Sequence, residues 1–228
     1  LFGFGWGASN WQLFLQFINS QSTGITDPIL NVDAGFYLFE LTFYESVTSF
    51  LILITIMSFG ILLSPFIFGE YFKSVEVSDK KLDENSEQKI ISFLYINAGV
   101  LLLILAIQKY FARFQLLYSD LGAVDGPGWT DDNILLPAYW VSIIITIIFS
   151  IILFTPSVRL KVIKFWSKWK LEKVKLNITS VVSIIVSLFV IWFIILTAIP
   201  GLFQWLRVEP NEITFEKPYI ANNIKFTR

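Results

Sequence analysis

The segment RLKVIKFWSKWKLEKVK, residues 159–175, lies between two long apolar runs. It carries seven of the chain's seventeen Lys and Arg residues against one acid, Glu172. Basic residues beside membrane spans stay on the cytoplasmic side, so this segment orients what precedes and follows it. Val158, Val162, Phe165, Trp166 and Trp169 share one helical face, and Lys161, Lys164, Lys168 and Lys175 share another. That pattern predicts an amphipathic helix on the inner leaflet, with Lys161, Lys164, Lys168, Trp166 and Trp169 at the membrane surface. Each lysine would gain about 1 kcal/mol from anionic headgroups. A topogenic loop without a ligand explains the same charges and is the preferred reading.

Four uncharged runs surround this segment: residues 46–69, 90–108, 133–158 and 176–206. The first has 24 residues, about 36 Å as a helix, enough to cross a bilayer with some tilt. Pro65 predicts a kink or an exit, and Pro200-Gly201 an exit from the fourth run. The fold class is therefore an all-α integral membrane protein with four transmembrane helices. A short interfacial helix near the N-terminus and the cytoplasmic amphipathic helix complete it. Residues 1–45 form an outer interfacial segment, 46–206 the membrane domain, and 207–228 a linker.

Composition agrees and removes several chemistries. Hydrophobic residues make up 55% of the 228, and the mean hydropathy of +0.66 lies far above that of a soluble domain. The chain has no cysteine, which excludes disulfides and thiolate metal sites, and no histidine, the commonest general base and transition-metal ligand. The first residue is Leu1 and the single methionine is Met57, which predicts a fragment or processed product. No basic region opens residues 1–26, so no signal peptide is read there.

Counting charges sets the orientation. The loop 70–89 has four lysines and 159–175 seven basic residues, all on one side by parity. The other side carries none in 1–45, Lys109 and Arg113 between spans two and three, and four in the tail. The excess places both termini outside, in the plasma membrane.

Within residues 1–45, Asn10 predicts a helix cap, with Trp11, Phe14, Leu15 and Ile18 on one face through Ile18. Lying in the interface and packing on the bundle are equal readings of that face. Thr26-Asp27-Pro28 breaks the helix, and Phe36, Tyr37, Phe39, Phe43 and Tyr44 follow as interfacial aromatics.

No charge interrupts the four runs, whereas proton and ion pathways usually need one at membrane depth. Asn97, Thr146, Thr179 and Thr197 predict hydrogen bonds between helices, and Gly60 and Gly99 close helix contact. The loop SDLGAVDGPGWTDDN, residues 119–133, is richest in polar groups. Asp120, Asp125, Asp131 and Asp132 among its glycines are candidate calcium ligands. The spacing is not that of an EF-hand, and a rigid turn capping the third span is the stronger reading. No nucleophile, phosphate-binding loop or basic-aromatic nucleic-acid platform accompanies them. No cofactor is expected. The expected partners are the bilayer, including anionic inner-leaflet lipids, and the rest of a longer chain; association between copies is compatible with the sequence.

Several stretches together resemble uncharacterised protein family 0182. They are Asn10-Trp11-Gln12 with Phe14 to Asn19, Gly24-Ile25-Thr26-Asp27-Pro28, and Asp33 followed by Phe36-Tyr37-Leu38-Phe39-Glu40-Leu41. Next come Leu117-Tyr118-Ser119, Gly122, Val124, Gly126, Gly128, Thr130-Asp131 and Leu136-Pro137-Ala138-Tyr139. Val208, Pro210-Asn211-Glu212, Glu216, Pro218-Tyr219-Ile220, Asn223-Ile224 and Thr227-Arg228 close the series. The resemblance implies a membrane domain of several spans followed by a large extracytoplasmic domain, with residues 208–228 leading into it. It implies no activity and no catalytic residues. Relatives often have His after the Thr-Asp pair; Asp132-Asn133 here argues against a histidine-dependent site.

These readings point to a non-enzymatic membrane anchor, with a transporter or channel subunit as the alternative. The native chain lacks cysteine, so a single one introduced at Ser167 reports orientation. It is expected to stay unlabelled by an impermeant maleimide in intact cells and to react after permeabilisation.

Overall fold

The computed structural model describes residues 2–73, 84–122, 124–158 and 178–227. The basic segment 159–175, with Lys161, Lys164, Trp166, Lys168 and Trp169, falls outside them. Among the described residues the chain is all-α, with an isolated bridge between Thr26 and Asp33 and no strand. The helices are α1 (Phe2–Ile18), α2 (Thr42–Lys73), α3 (Glu84–Ala112), α4 (Leu136–Phe154), α5 (Ile178–Phe193), α6 (Ile199–Phe203) and α7 (Glu212–Thr227). Wider π turns occupy Phe36–Leu41, Asp131–Leu135, Ile194–Ala198 and Gln204–Val208, and tighter 3-10 turns Arg113–Tyr118 and Glu209–Asn211. Four helical stretches are long and apolar enough to cross a membrane: Phe36–Phe66, Gln88–Tyr118, Asp131–Phe154 and Val181–Lys225. Each contains most of a predicted span.

Neither Pro65 nor Pro200 ends its helix. Pro65 sits inside α2, which continues to Lys73. Pro200 sits near the start of α6, and the helical path runs on through α7 rather than ending. A proline ring opposes the carbonyl four residues earlier, here that of Leu196, which lies within the π turn Ile194–Ala198. The wider turn gives the ring room.

The N-terminal helix also differs from expectation. It starts at Phe2, and Asn10 lies in its interior. The Asn10 amide donates to the Trp6 carbonyl at 2.9 Å and accepts the Ser46 hydroxyl at 2.7 Å. Trp6 stacks on Phe50 and Phe17 on Phe43, with ring centroids 4.7 and 4.6 Å apart. The partners run in opposite order along the two helices, so α1 lies antiparallel to the start of α2. Packing on a neighbouring helix is thus the use of the Trp6, Asn10 and Phe17 face. Phe4, Trp11, Leu15 and Ile18 remain exposed.

The chain divides into two compact units. The helical unit comprises residues 51–105 and 145–190. Leu94, Tyr95, Ala98 and Leu102 of α3 are buried there, as are Leu153, Val181 and Leu188. The Asn97 amide donates to the Ser58 hydroxyl at 2.8 Å, the interhelical bond expected of it. The Ser150 hydroxyl donates to the Gly99 carbonyl at 2.9 Å. A Cβ at Gly99 would come within 3.0 Å of the Phe154 ring, so Gly99 does permit close contact. Gly60 does not: a Cβ there would meet nothing within 4 Å.

The loop-bearing unit comprises residues 1–50, 106–144 and 191–228. Its core is Tyr37, Leu41 and Phe114, with Leu30, Val32, Phe36, Phe111 and Leu117 packed around them. Membrane helices lack a hydrophobic drive to associate, so polar bonds between them carry a share of the stability. Asn97→Ala is therefore expected to cost about 0.6–2 kcal/mol in detergent unfolding. Ser58→Ala should cost about the same, and the double variant no more than the larger single loss.

Candidate functional site in the loop-bearing unit

Residues 19–35 form a compact loop organised by two aspartates. Asp27 follows from the Thr-Asp-Pro break: its Oδ1 accepts the backbone N–H groups of Ile29 and Leu30 at 2.9 and 2.6 Å. Its Oδ2 accepts the Val32 N–H at 3.0 Å and the Tyr37 hydroxyl at 2.8 Å. Buried Asp27 thus satisfies three amides of a turn that no helix or strand could serve. Asn31 takes the left-handed conformation this turn requires, with φ 55°.

Asp33 does the same for the preceding stretch. It accepts the Ser22 hydroxyl at 2.6 Å and the amides of Thr23, Gly24 and Gly35 at 3.0, 3.0 and 2.7 Å. The Ser22 hydroxyl, then the Thr23 amide, with help from those of Gly35 and Gly24, hold its carboxyl well below the usual carboxylate range. A Cβ at Gly35 would overlap the Gln21 carbonyl, so the crossing accepts only glycine.

The acidic loop is built around a residue 87 positions away. Glu216 of α7 is wholly buried, and its Oε1 accepts the Trp129 N–H at 3.1 Å. Asp131, 1% exposed, accepts the Gly128 N–H through Oδ2 at 3.0 Å. Two consecutive amides therefore anchor two carboxylates from different elements. Gly122 and Gly128 make this possible, because a Cβ on either would stand 3.0–3.2 Å from the Glu216 carboxylate. Trp129 packs on Phe215 at 5.0 Å, Thr130 donates to Gln204, and Gln204 donates to the Leu121 carbonyl at 3.0 Å. Asp132 accepts the Tyr219 hydroxyl at 2.8 Å, and Asn223 donates to the Asp125 carbonyl at 2.6 Å. Residues 207–228, read as a linker, thus contain a helix bonded to this loop at three side chains.

The four calcium candidates are not gathered around one point. Asp131 turns inward to Gly128, Asp132 reaches Tyr219, and Asp120 and Asp125 are exposed. No group of three or more acidic side chains is arranged to hold a metal ion among the described residues. What lies between the loops and α7 instead is a half-open cavity of about 170 Å³. Ile29, Leu117 and Val124 contribute apolar wall, and Asp125, Tyr219 and Asn222 contribute polar groups. Of these, the sequence singled out Asp125 as a site candidate, and Leu117, Val124 and Tyr219 only as parts of motifs. The turn signal Asp27-Pro28 was visible, but nothing local marked it as a neighbour of Tyr219.

Basic side chains of the unit lie against aromatic rings. The Arg113 guanidinium stands 4.1 Å from the Tyr110 ring centroid and 4.5 Å from those of Phe114 and Trp140. Lys109 Nζ stands 4.6 Å from the Trp192 centroid. Such contacts hold a cation beside apolar surface and suit a membrane boundary.

The tightest constraint is the approach of Gly128 to Glu216. Gly128→Ala is expected to destabilise the protein by about 1–3 kcal/mol, read by thermal unfolding, because the new methyl meets a pinned carboxylate. Solvent-exposed Gly5→Ala on α1, with open space around it, is the matched control and should be neutral or stabilising.

Comparison with known proteins places this architecture. The chain matches the model of the Uncharacterised protein family (UPF0182) over residues 1–228. A UPF0182 protein of Sulfurovum sp. (strain NBC37-1) is 30% identical over 226 residues, covering 98% of this chain and 22% of that protein. One from Trichodesmium erythraeum (strain IMS101) is 32% identical, covering 96% of this chain and 22% of that protein. One from Geobacter sulfurreducens is 32% identical, covering 98% and 23%. The chain thus spans less than a quarter of the length of these curated relatives. No solved structure matches it. With the whole chain matched and four membrane-length apolar helices, the protein belongs to the UPF0182 family.

Proposed function

We propose that this chain is the membrane-anchoring scaffold of a longer protein and carries no catalytic activity itself. On this reading it sits in the plasma membrane with the loop-bearing unit and both chain ends extracytoplasmic. The observation that carries the reading is how the polar residues are used. Asp27, Asp33 and Asp131 accept backbone amides of their own loops and Glu216 one of the acidic loop, which fixes shape rather than preparing a reaction. A rigid platform of this kind suits presentation of a surface to another domain of the longer chain. The lysine-rich segments 70–89 and 159–175 support the orientation, and the exposed apolar side chains of α1, α2 and α5 support contact with lipid.

A second reading, part of a transporter or channel completed by other spans, is favoured by one feature of α4. Ser142, Thr146 and Ser150 recur every four residues and are wholly buried. Small polar residues at that spacing also let helices approach closely, and the Ser150 bond to Gly99 is of that kind. Flux through proteoliposomes holding the full-length protein separates the readings. The anchor predicts no solute flux above protein-free vesicles; saturable flux abolished by Asn97→Ala would overturn it.

A further inference from the structure

We propose that the cavity between Ile29, Leu117, Val124 and Asn222 binds a small organic cation, an ammonium group on an apolar body of about eight non-hydrogen atoms. The inference goes beyond the scaffold reading and does not depend on it.

Size sets the first limit. At about 170 Å³ the cavity is close to engineered cavities of about 150 Å³ that take up benzene. It is smaller than most drug-sized pockets. One ring or a short branched chain fits; a nucleotide or sugar does not.

The lining sets the chemistry. Pro28, Ile29, Leu117 and Val124 offer apolar wall, while Asp125 is the one formally charged residue of the lining. Asp125 is exposed, and among the described residues no side-chain hydrogen bond engages its carboxylate. The other acids nearby are committed: Asp27 to its turn, Asp131 to Gly128, Asp132 to Tyr219. Tyr219 is likewise held, donating to Asp132 and accepting from Asn133 at 3.2 Å. The walls are therefore set before a ligand arrives, which lowers the cost of binding. Charge acts in the same direction. The three segments that line it, residues 19–35, residues 114–133 and α7, hold six aspartates and two glutamates against Lys217 and Lys225. Their field repels anions and raises the local concentration of cations.

The walls also come from separate parts of the chain: the turn after Asp27, residues 124–127 with Leu117, and α7. The turn is held by Asp27, and the acidic loop is joined to α7 by the Asp132–Tyr219 and Asp125–Asn223 bonds. A cavity made by convergence of rigid segments keeps its shape, whereas a gap beside a loose loop would not.

The test uses the whole chain in lipid nanodiscs with benzylamine as probe and benzyl alcohol as its neutral analogue, read by saturation-transfer NMR titration. Benzylamine should saturate in the range of about a millimolar or below. Asp125→Asn should weaken benzylamine by about fivefold and change benzyl alcohol by less than about twofold. Val124→Trp, which fills the cavity from a loop position, should abolish saturable binding of both. Raising the salt should weaken benzylamine alone. Equal affinity of Asp125→Asn for the amine, or unchanged binding to Val124→Trp, would overturn the proposal. So would the absence of saturable binding by the native chain. Thermal unfolding of both variants checks that they are folded, and a flux result for or against the scaffold reading leaves this outcome untouched.

Discussion

Carboxylate oxygens accepting backbone N–H groups are the interaction on which the loop-bearing unit depends. A buried or membrane-adjacent amide without a partner costs several kcal/mol, and irregular backbone cannot supply partners to itself. Here aspartate and glutamate side chains supply them. Asp27 serves three amides, Asp33 three more, and Asp131 and Glu216 one each at consecutive positions. Hydrogen bonds to a charged acceptor contribute about 1.5–3 kcal/mol each, roughly twice a neutral one. The arrangement lets the 15 non-helical residues 19–33 hold one shape, and it lets a loop 87 residues from Glu216 close onto it.

The helical unit solves the opposite problem. Its backbone is satisfied within each helix, and its side chains need only shape and a few polar contacts. Asn97 to Ser58 and Ser150 to Gly99 are such contacts, and the Gly99–Phe154 approach provides the shape. None of these involves a charge. The two units therefore rest on different interactions: carboxyl side chains accepting amides in one, close packing and neutral hydrogen bonds in the other.

How much of this was legible beforehand follows from the same division. Span number and class were readable because they depend on runs of apolar residues, and the role of Asn97 because a lone amide in an apolar helix has few options. The start of α1 was not readable. Residues 2–9 hold three glycines, poor helix formers in water, yet the stacking of Trp6 on Phe50 of α2 supports a helix there. Helix continues past Pro65 and Pro200 for a related reason, since membrane helices regroup their hydrogen bonds around proline. In the acidic loop the residue types were evident but their directions were not. Whether Asp131 and Asp132 share a cation or face different partners is decided by Glu216 and Tyr219, which no local pattern connects to them.

The four π turns give the loop-bearing unit a further property. Among the described residues all of them fall within it, at residues 36–41, 131–135, 194–198 and 204–208. A π turn holds one more residue than the α-helical turn it replaces, and one residue corresponds to about 100° of rotation. Each is therefore a phase adjuster. It lets the helix on one side keep the facing that packing demands while the other side keeps the facing that its loop demands. The turn at residues 204–208 sets the angle at which α7 presents Glu216 and Tyr219 to the acidic loop. Loss of a single residue there would leave a continuous helix and rotate both side chains away from their partners. The chain's tolerance of length change is thus lowest where its helices look most regular.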